Sequence, residues 1–321
     1  MSHETEGTFV YTANFMPEEA EIAALELRCM ANVKLCDGFA RSVAACDISL
    51  SSYTRLCAEV LAEADNLDEI VDKTAVLGLA LEDFAIDVIR RPPRPKLEAQ
   101  AVAKRLADVI AGSVNLSRPR VVCVLLAQQC HYVFGRVVSR ARRDWHDAAE
   151  RPINFSNSLP PRLSRALVNL VAAPGDTLID PCCGAGTVLI EAARMGVHAC
   201  GSDLNEAHLE MARRNLGYFG CAAPLRRADA REFEGRYDAA VLDLPYGHTS
   251  RADDRLYLDI ISRVAEGVER LVVVTGDDKQ HLWEQLGLTI KGVARVPATN
   301  IVRHVYLLGG RTSQGLREAY R

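Results

Sequence analysis

Leu178-Ile179-Asp180-Pro181-Cys182-Cys183-Gly184-Ala185-Gly186-Thr187 runs directly into the apolar stretch 188–195. A short apolar strand, a turn with two glycines and an apolar helix make one strand–turn–helix unit. Gly184 and Gly186 let the backbone turn sharply and come close to a ligand, where a β-carbon would collide. Beyond it, apolar strands read at 177–179, 197–201, 239–242, 271–274 and 302–308, with helical patterns between most of them. This alternation predicts an α/β fold, a mostly parallel sheet with helices on both faces.

In such a sheet ligands bind outside the carboxyl ends of the strands, and acids stand at those ends here. Asp180 closes the first strand, Asp203 the next, and Asp229-Ala230 follows the helix after that. A carboxylate at 203 can accept from both hydroxyls of a ribose, and one at 229 from an adenine amino group. Leu189 stands where a dinucleotide fingerprint needs its third glycine, and no phosphate-loop motif is present. The set suits a ribose and adenine without a pyrophosphate, which favours S-adenosylmethionine over NAD or ATP. Taken singly, Asp180 and Asp203 also read as strand-end turn residues, and Cys182 and Cys183 as small packing residues.

The run Ala239-Ala240-Val241-Leu242 ends in Asp243-Leu244-Pro245-Tyr246-Gly247. That loop offers an acceptor carboxylate, the Leu244 carbonyl and the flat ring of Tyr246, the parts needed to hold a flipped base by its edge and face. Guanine presents N–H donors at N1 and at the adjacent 2-amino group, and a carboxylate accepts both better than an amide does. Aspartate at 243 therefore tilts the acceptor from adenine to guanine. Tyr246 also reads as an aromatic capping the sheet edge, which leaves the adjacent Asp and Pro without a role.

Net charge is −4, but it is unevenly spread: residues 1–87 balance at −12, 88–143 at +10 and 144–321 at −2. The basic block holds Arg90, Arg91, Arg94, Lys96, Arg136, Arg140, Arg142 and Arg143. It reads as a footprint for a polyanion or, equally on charge alone, as a basic face neutralised by the acidic first segment. No apolar run approaches the ~18 residues of a membrane span. The acidic start Met1-Ser2-His3-Glu4-Thr5-Glu6 is unlike a secretory signal. Ten cysteines without a C-x-x-C pair or zinc-site spacing fit a reducing cytoplasm and give no metal site.

Together these motifs resemble the class I S-adenosylmethionine-dependent methyltransferases, and more narrowly the THUMP-containing tRNA guanine-N2 methyltransferases. Arg151 through Leu170, beginning Arg-Pro-Ile-Asn-Phe-Ser, is similar to that family's opening segment, and Pro297-Ala298-Thr299-Asn300-Ile301-Val302-Arg303-His304 to its closing hairpin. The resemblance implies a Rossmann-like domain with a seven-stranded, mostly parallel sheet over 166–321. Before it would lie a ferredoxin-like part (1–82), a THUMP-like part (83–143) anchored on Val114-Asn115-Leu116-Ser117-Arg118-Pro119, and a linker (144–165).

It further implies that Asp180, Cys182, Gly184, Gly186, Thr187, Asp203, Leu204, Asp229, Ala230 and Asp243 bind S-adenosylmethionine. Asp243, Leu244, Pro245 and Tyr246 would carry transfer, and the basic block would bind tRNA. The archaeal relatives it resembles act on guanosine-10, without a metal because a sulfonium methyl is already activated. This chain departs from the family's Asp/Asn-Pro-Pro-Tyr pattern by placing Leu244 at the first proline, which removes one φ restraint. From the residues alone three other readings stay open: another tRNA guanosine, an RNA adenine N6, or a non-catalytic RNA-binding protein that keeps the fold.

Overall fold

The computed structural model describes residues 8–90, 98–128, 131–154, 158–245, 254–298 and 301–311. Along the chain come β1 (Phe9–Ala13), α1 (Ala20–Ala31), β2 (Phe39–Ser42), β3 (Thr54–Ala64), α2 (Leu67–Val76), β4 (Ala80–Arg90), α3 (Ala99–Ala107) and β5 (Ala111–Val114). There follow β6 (Val121–Ala127), β7 (Tyr132–Arg140), α4 (Pro161–Val171), β8 (Thr177–Asp180), α5 (Thr187–Arg194), β9 (His198–Asp203), α6 (Glu206–Tyr218) and β10 (Leu225–Arg227). The last elements are β11 (Tyr237–Asp243), α7 (Asp254–Ala265), β12 (Val268–Thr275), α8 (Gln280–Gln285), β13 (Leu288–Pro297) and β14 (Val302–Arg311).

They form two units. The first takes Met1–Ala13, Cys36–Ser49 and Thr54–Ala141, and its sheet runs β2-β1-β3-β7-β6-β4-β5. The period-2 pattern sorts its side chains cleanly. Cys123, Leu125 and Ala127 of β6 point to one face, where Ile70 of α2 and Val102 and Leu106 of α3 cover them. Val124 and Leu126 point to the other, beside Val10, Leu56 and Val133.

The boundary expected at 82/83 falls inside β4, and strands from both sides of it share this sheet. Helix α3 stops at Ala107. Gly112 then pairs with Leu81 so closely that a β-carbon would lie 1.9 Å from the Leu81 carbonyl oxygen, so only glycine fits at the second position of this edge strand.

The basic block meets acids inside this unit. Arg136 donates to Glu59 (2.7 Å), Arg140 to Asp87 (2.7 Å) and Arg105 to Asp68 (2.6 Å). Register explains it, since antiparallel pairing sets Arg136 opposite Glu59. Arg91, Arg94 and Lys96 lie outside the described residues.

The second unit takes Asn14–Leu35, Leu50–Tyr53 and Arg142–Arg321. Its sheet runs β10-β9-β8-β11-β12-β14-β13, all parallel except β14, which is antiparallel to both neighbours. The predicted α/β core and its closing hairpin are therefore present. Two strands, β10 and β13, escape the sequence pattern, the first being three residues long and the second broken up by Thr289, Lys291 and Arg295.

Helix α1, expected with the amino-terminal part, belongs to this unit. The fully buried carboxylate of its Glu26 accepts from Ser51 Oγ (2.7 Å), Ser52 N (2.8 Å), Tyr53 N (3.0 Å) and Asn169 Nδ2 of α4 (2.7 Å). One charge thus satisfies four donors. Arg162 of α4 adds bonds to Glu19, Ser52 and Asn14 and lies 4.2 Å over the Tyr53 ring. Among the described residues no helix is long and apolar enough to cross a membrane.

The stretch expected as a linker holds a 3-10 helix (Asp144–Glu150) and the start of α4. Arg165, wholly buried, binds Glu191 of α5 (2.6 Å) and Asp144, which ties that stretch to the core. Replacing Arg165 by methionine leaves the buried Glu191 charge uncompensated and should cost about 3–5 kcal/mol in denaturant unfolding. The pair Arg165→Met/Glu191→Leu should recover most of that loss. A double variant no more stable than the single one would contradict this account of the pair.

Candidate active site

Strands β8, β9 and β11 run in parallel, so their carboxyl ends reach one edge of the sheet together. Pairing sets Asp180 beside Gly201 and Asp243 beside Val274, with Asp203 two residues on from Gly201. At that edge opens a cavity of about 620 Å³, within the range of small-molecule sites. Eleven residues expected from the sequence line it: Asp180, Cys182, Gly184, Thr187, Asp203, Leu204, Asp229, Ala230, Asp243, Leu244 and Pro245. Gly186 is not among them. It adopts φ 83° before α5, and a β-carbon there would sit 3.1 Å from Ala212 Cβ of α6. Its lack of a side chain serves helix packing. Tyr246 lies outside the described residues.

The loop after β8 closes on its own acids. Asp180 accepts from Cys182 N (3.1 Å), and Asp203 from Gly184 N (3.0 Å) and Asn205 N (2.8 Å). Gly184 takes φ 51°, and a β-carbon there would meet no protein atom within 4 Å, so its backbone faces open space at the cavity wall.

Burial pushes the Asp180 carboxyl well above the usual range; the Cys182 amide opposes the shift, and the nearby Asp243 and Asp203 charges add to it. Burial also raises the Cys182 and Cys183 thiols, so neither is an activated nucleophile. Asp229 goes the other way. The Arg231 guanidinium binds it at 2.5 Å and the Arg231 amide at 2.9 Å, which holds its carboxyl below the usual range.

The lining also takes in residues that no site motif marked, among them His208, Ala228, Arg231, Leu256 and Ile260, with Ser158 and Leu159 from the opening segment. His208 Nδ1 lies 3.2 Å from Asp203 Oδ1. Asn215 of α6, wholly buried, acts from behind the cavity wall. Its amide donates to the carbonyls of Ile153 and Ala185 (both 3.0 Å) and accepts from Ile153 N (3.0 Å), joining the glycine loop to the segment before Ser158. Only a spacing of 62 residues brought together by folding could reveal it.

Leu244 is the departure from the family pattern, and its setting accounts for the residue. Its N–H donates to the Val274 carbonyl (3.1 Å), a rung that proline could not supply. Its side chain is 1% exposed and packs in the cluster of Ala230, Tyr257 and Ile260. Next to it, the Pro245 carbonyl accepts from the Tyr257 hydroxyl (2.8 Å). The loop is held by hydrogen bonds on both sides.

Residues 149–300 match the UPF0020 family, described as "RMKL-like, methyltransferase domain". The tRNA (guanine(10)-N2)-dimethyltransferase of Methanothermobacter thermautotrophicus is 28% identical over 237 residues, 67% of this chain and 70% of that protein. The protein of the same name from Pyrococcus abyssi is 27% identical over 275 residues, 78% and 82% of the two chains. Among solved structures, TrmN from Thermus thermophilus superposes with a TM-score of 0.51 at 20% identity, over 94% of this chain and 99% of that one. The fold, the acids at the strand ends and these likenesses agree on a methyltransferase domain, with residues 149–300 similar to the UPF0020 model of RMKL-like methyltransferases.

Proposed function

We propose that the protein transfers a methyl group from S-adenosylmethionine to the 2-amino group of a guanosine in tRNA, guanosine-10 as the names of the two archaeal relatives indicate. The observation that carries this reading is the convergence of Asp180, Asp203, Asp229 and the Asp243–Pro245 loop on one cavity. The donor chemistry fits. A wall of carboxylates suits a ligand bearing hydroxyls, an amino group and a positive sulfonium, and it opposes a pyrophosphate. Asp203 would hold the ribose and Asp229 the adenine amino group, with Asp180 near the charged end. The cofactor, when bound, supplies an activated methyl group.

The chain's own residues then position and neutralise. Asp243 would accept from N1–H and one amino hydrogen of guanine, and the Leu244 carbonyl from the other, which aims the nitrogen lone pair. Asp243 would also stabilise the charge that develops on that nitrogen and receive its proton. Tyr246 would stack on the base, a contact worth ~1–3 kcal/mol. Rate enhancement comes from positioning and from electrostatics aimed at the transition state.

For tRNA, the cations that support backbone contact are the exposed Arg142 and Arg143 after β7, with Arg90, Arg91, Arg94 and Lys96. Arg136 and Arg140 are held by Glu59 and Asp87 and contribute less. The same reading places the enzyme in the cytoplasm.

Asp243→Ala should abolish transfer of labelled methyl to tRNA while calorimetry shows cofactor affinity within a few-fold. Near-parental turnover would overturn the assignment. Asp203→Ala should weaken cofactor binding instead.

Asp180 adds a pH signature. A cationic ligand favours its ionised form, whereas burial favours the neutral one. Binding therefore releases a proton, and affinity rises with pH from the ordinary carboxylate range up through the raised pKa, by at most about tenfold per pH unit. Asp180→Asn should flatten that slope. A parent protein with pH-independent affinity across that window would contradict it.

A further inference from the structure

Pro245 fixes its own φ through its ring, and its ψ stays free. That ψ sets the plane of the peptide that follows Pro245. The Pro245 carbonyl lies in this peptide plane, and the Tyr257 hydroxyl donates to it at 2.8 Å. Tyr257 sits on the first turn of α7 and is 2% exposed, so its ring cannot swing without opening the core. Around it, Lys279 lies 5.8 Å from the ring centroid and pairs with Asp254 (2.8 Å) and Asp277 (2.9 Å). That ammonium joins the start of α7 to the turn after β12, the strand on which Leu244 makes its own bond.

We infer that Tyr257 is a positioning residue of the transfer loop, its hydroxyl fixing the Pro245 carbonyl so that the acceptor base meets a preset edge at Asp243 and Leu244. The inference rests on the methyl-transfer reading above, but its geometry does not. The buried phenol is pushed up to about 12, chiefly by burial and then by the Asp277 charge, so it keeps its proton and donates at neutral pH. Volume alone could be filled by phenylalanine, without a buried hydroxyl that must find a partner. The Tyr257 hydroxyl finds that partner in the Pro245 carbonyl.

Tyr257→Phe in the full chain is the test, because it keeps the ring, its packing and the Lys279 contact. Turnover with tRNA should fall between about 10- and 100-fold, the loss that follows from small misplacement of reacting groups. Cofactor dissociation constant and thermal midpoint should stay near parental. Hydrogen exchange of the Leu244 amide, read without any reaction, should speed up. Parental turnover, or a fall in thermal midpoint large enough to account for the lost rate, would overturn the inference. A parent protein that methylates no tRNA would sink the functional reading instead. In that case the exchange measurement decides: unchanged protection at Leu244 overturns the role of Tyr257, and lost protection upholds it.

Discussion

Carboxylates that repel one another are held at one edge of a parallel sheet, and much of the second unit follows from that constraint. Asp180 and Asp203 end β8 and β9, and Asp243 ends β11. The strain of crowding them appears in the Asp180 carboxyl, which burial and the other two charges push toward its neutral form. Backbone amides from Cys182, Gly184 and Asn205 offset part of this cost. A cationic ligand that donates hydrogen bonds would offset the rest. The carboxylates of the cavity and the chemistry of a sulfonium nucleoside are complementary for the same electrostatic reason.

Rigidity around that edge is supplied from further away. Asn215 joins the glycine loop to the segment before Ser158. Arg165 and Glu191 tie the start of that segment to α5 through a buried pair, and Glu26 draws α1 onto α4. Each is a buried polar group bound to partners from a distant part of the chain, which favours a single arrangement over many. Leu244 belongs to the same scheme. Where the family pattern has a proline's fixed φ, this chain uses a ladder bond to Val274 and a leucine side chain locked in the core.

How much could be read from the chain alone depended on range. The strand–turn–helix at 178–187, the strand-end acids and the Asp243 loop are local patterns, and sequence shows them. The allegiance of α1 is not local, because it is decided by Glu26 meeting Ser51, Ser52, Tyr53 and Asn169. Nor is the pairing of Arg136 and Arg140, which needs the register of β3, β4 and β7. Charge alone left the +10 block open between a polyanion footprint and a neutralised face, because the acids that pair with Arg136 and Arg140 lie elsewhere in the chain. Tyr257 and His208 were illegible for the same reason: each acts on a residue brought near by the fold.

The central claim is that the cavity at this sheet edge presents a cofactor methyl to the 2-amino group of guanine. Nucleoside mass spectrometry of unmodified tRNA, incubated with the protein and S-adenosylmethionine, tests it most directly. The account predicts new N2-methylated guanosine, with one or two methyl groups read from the mass, mapping to position 10. Methylation found only on adenine, or on no nucleoside at all, would contradict it.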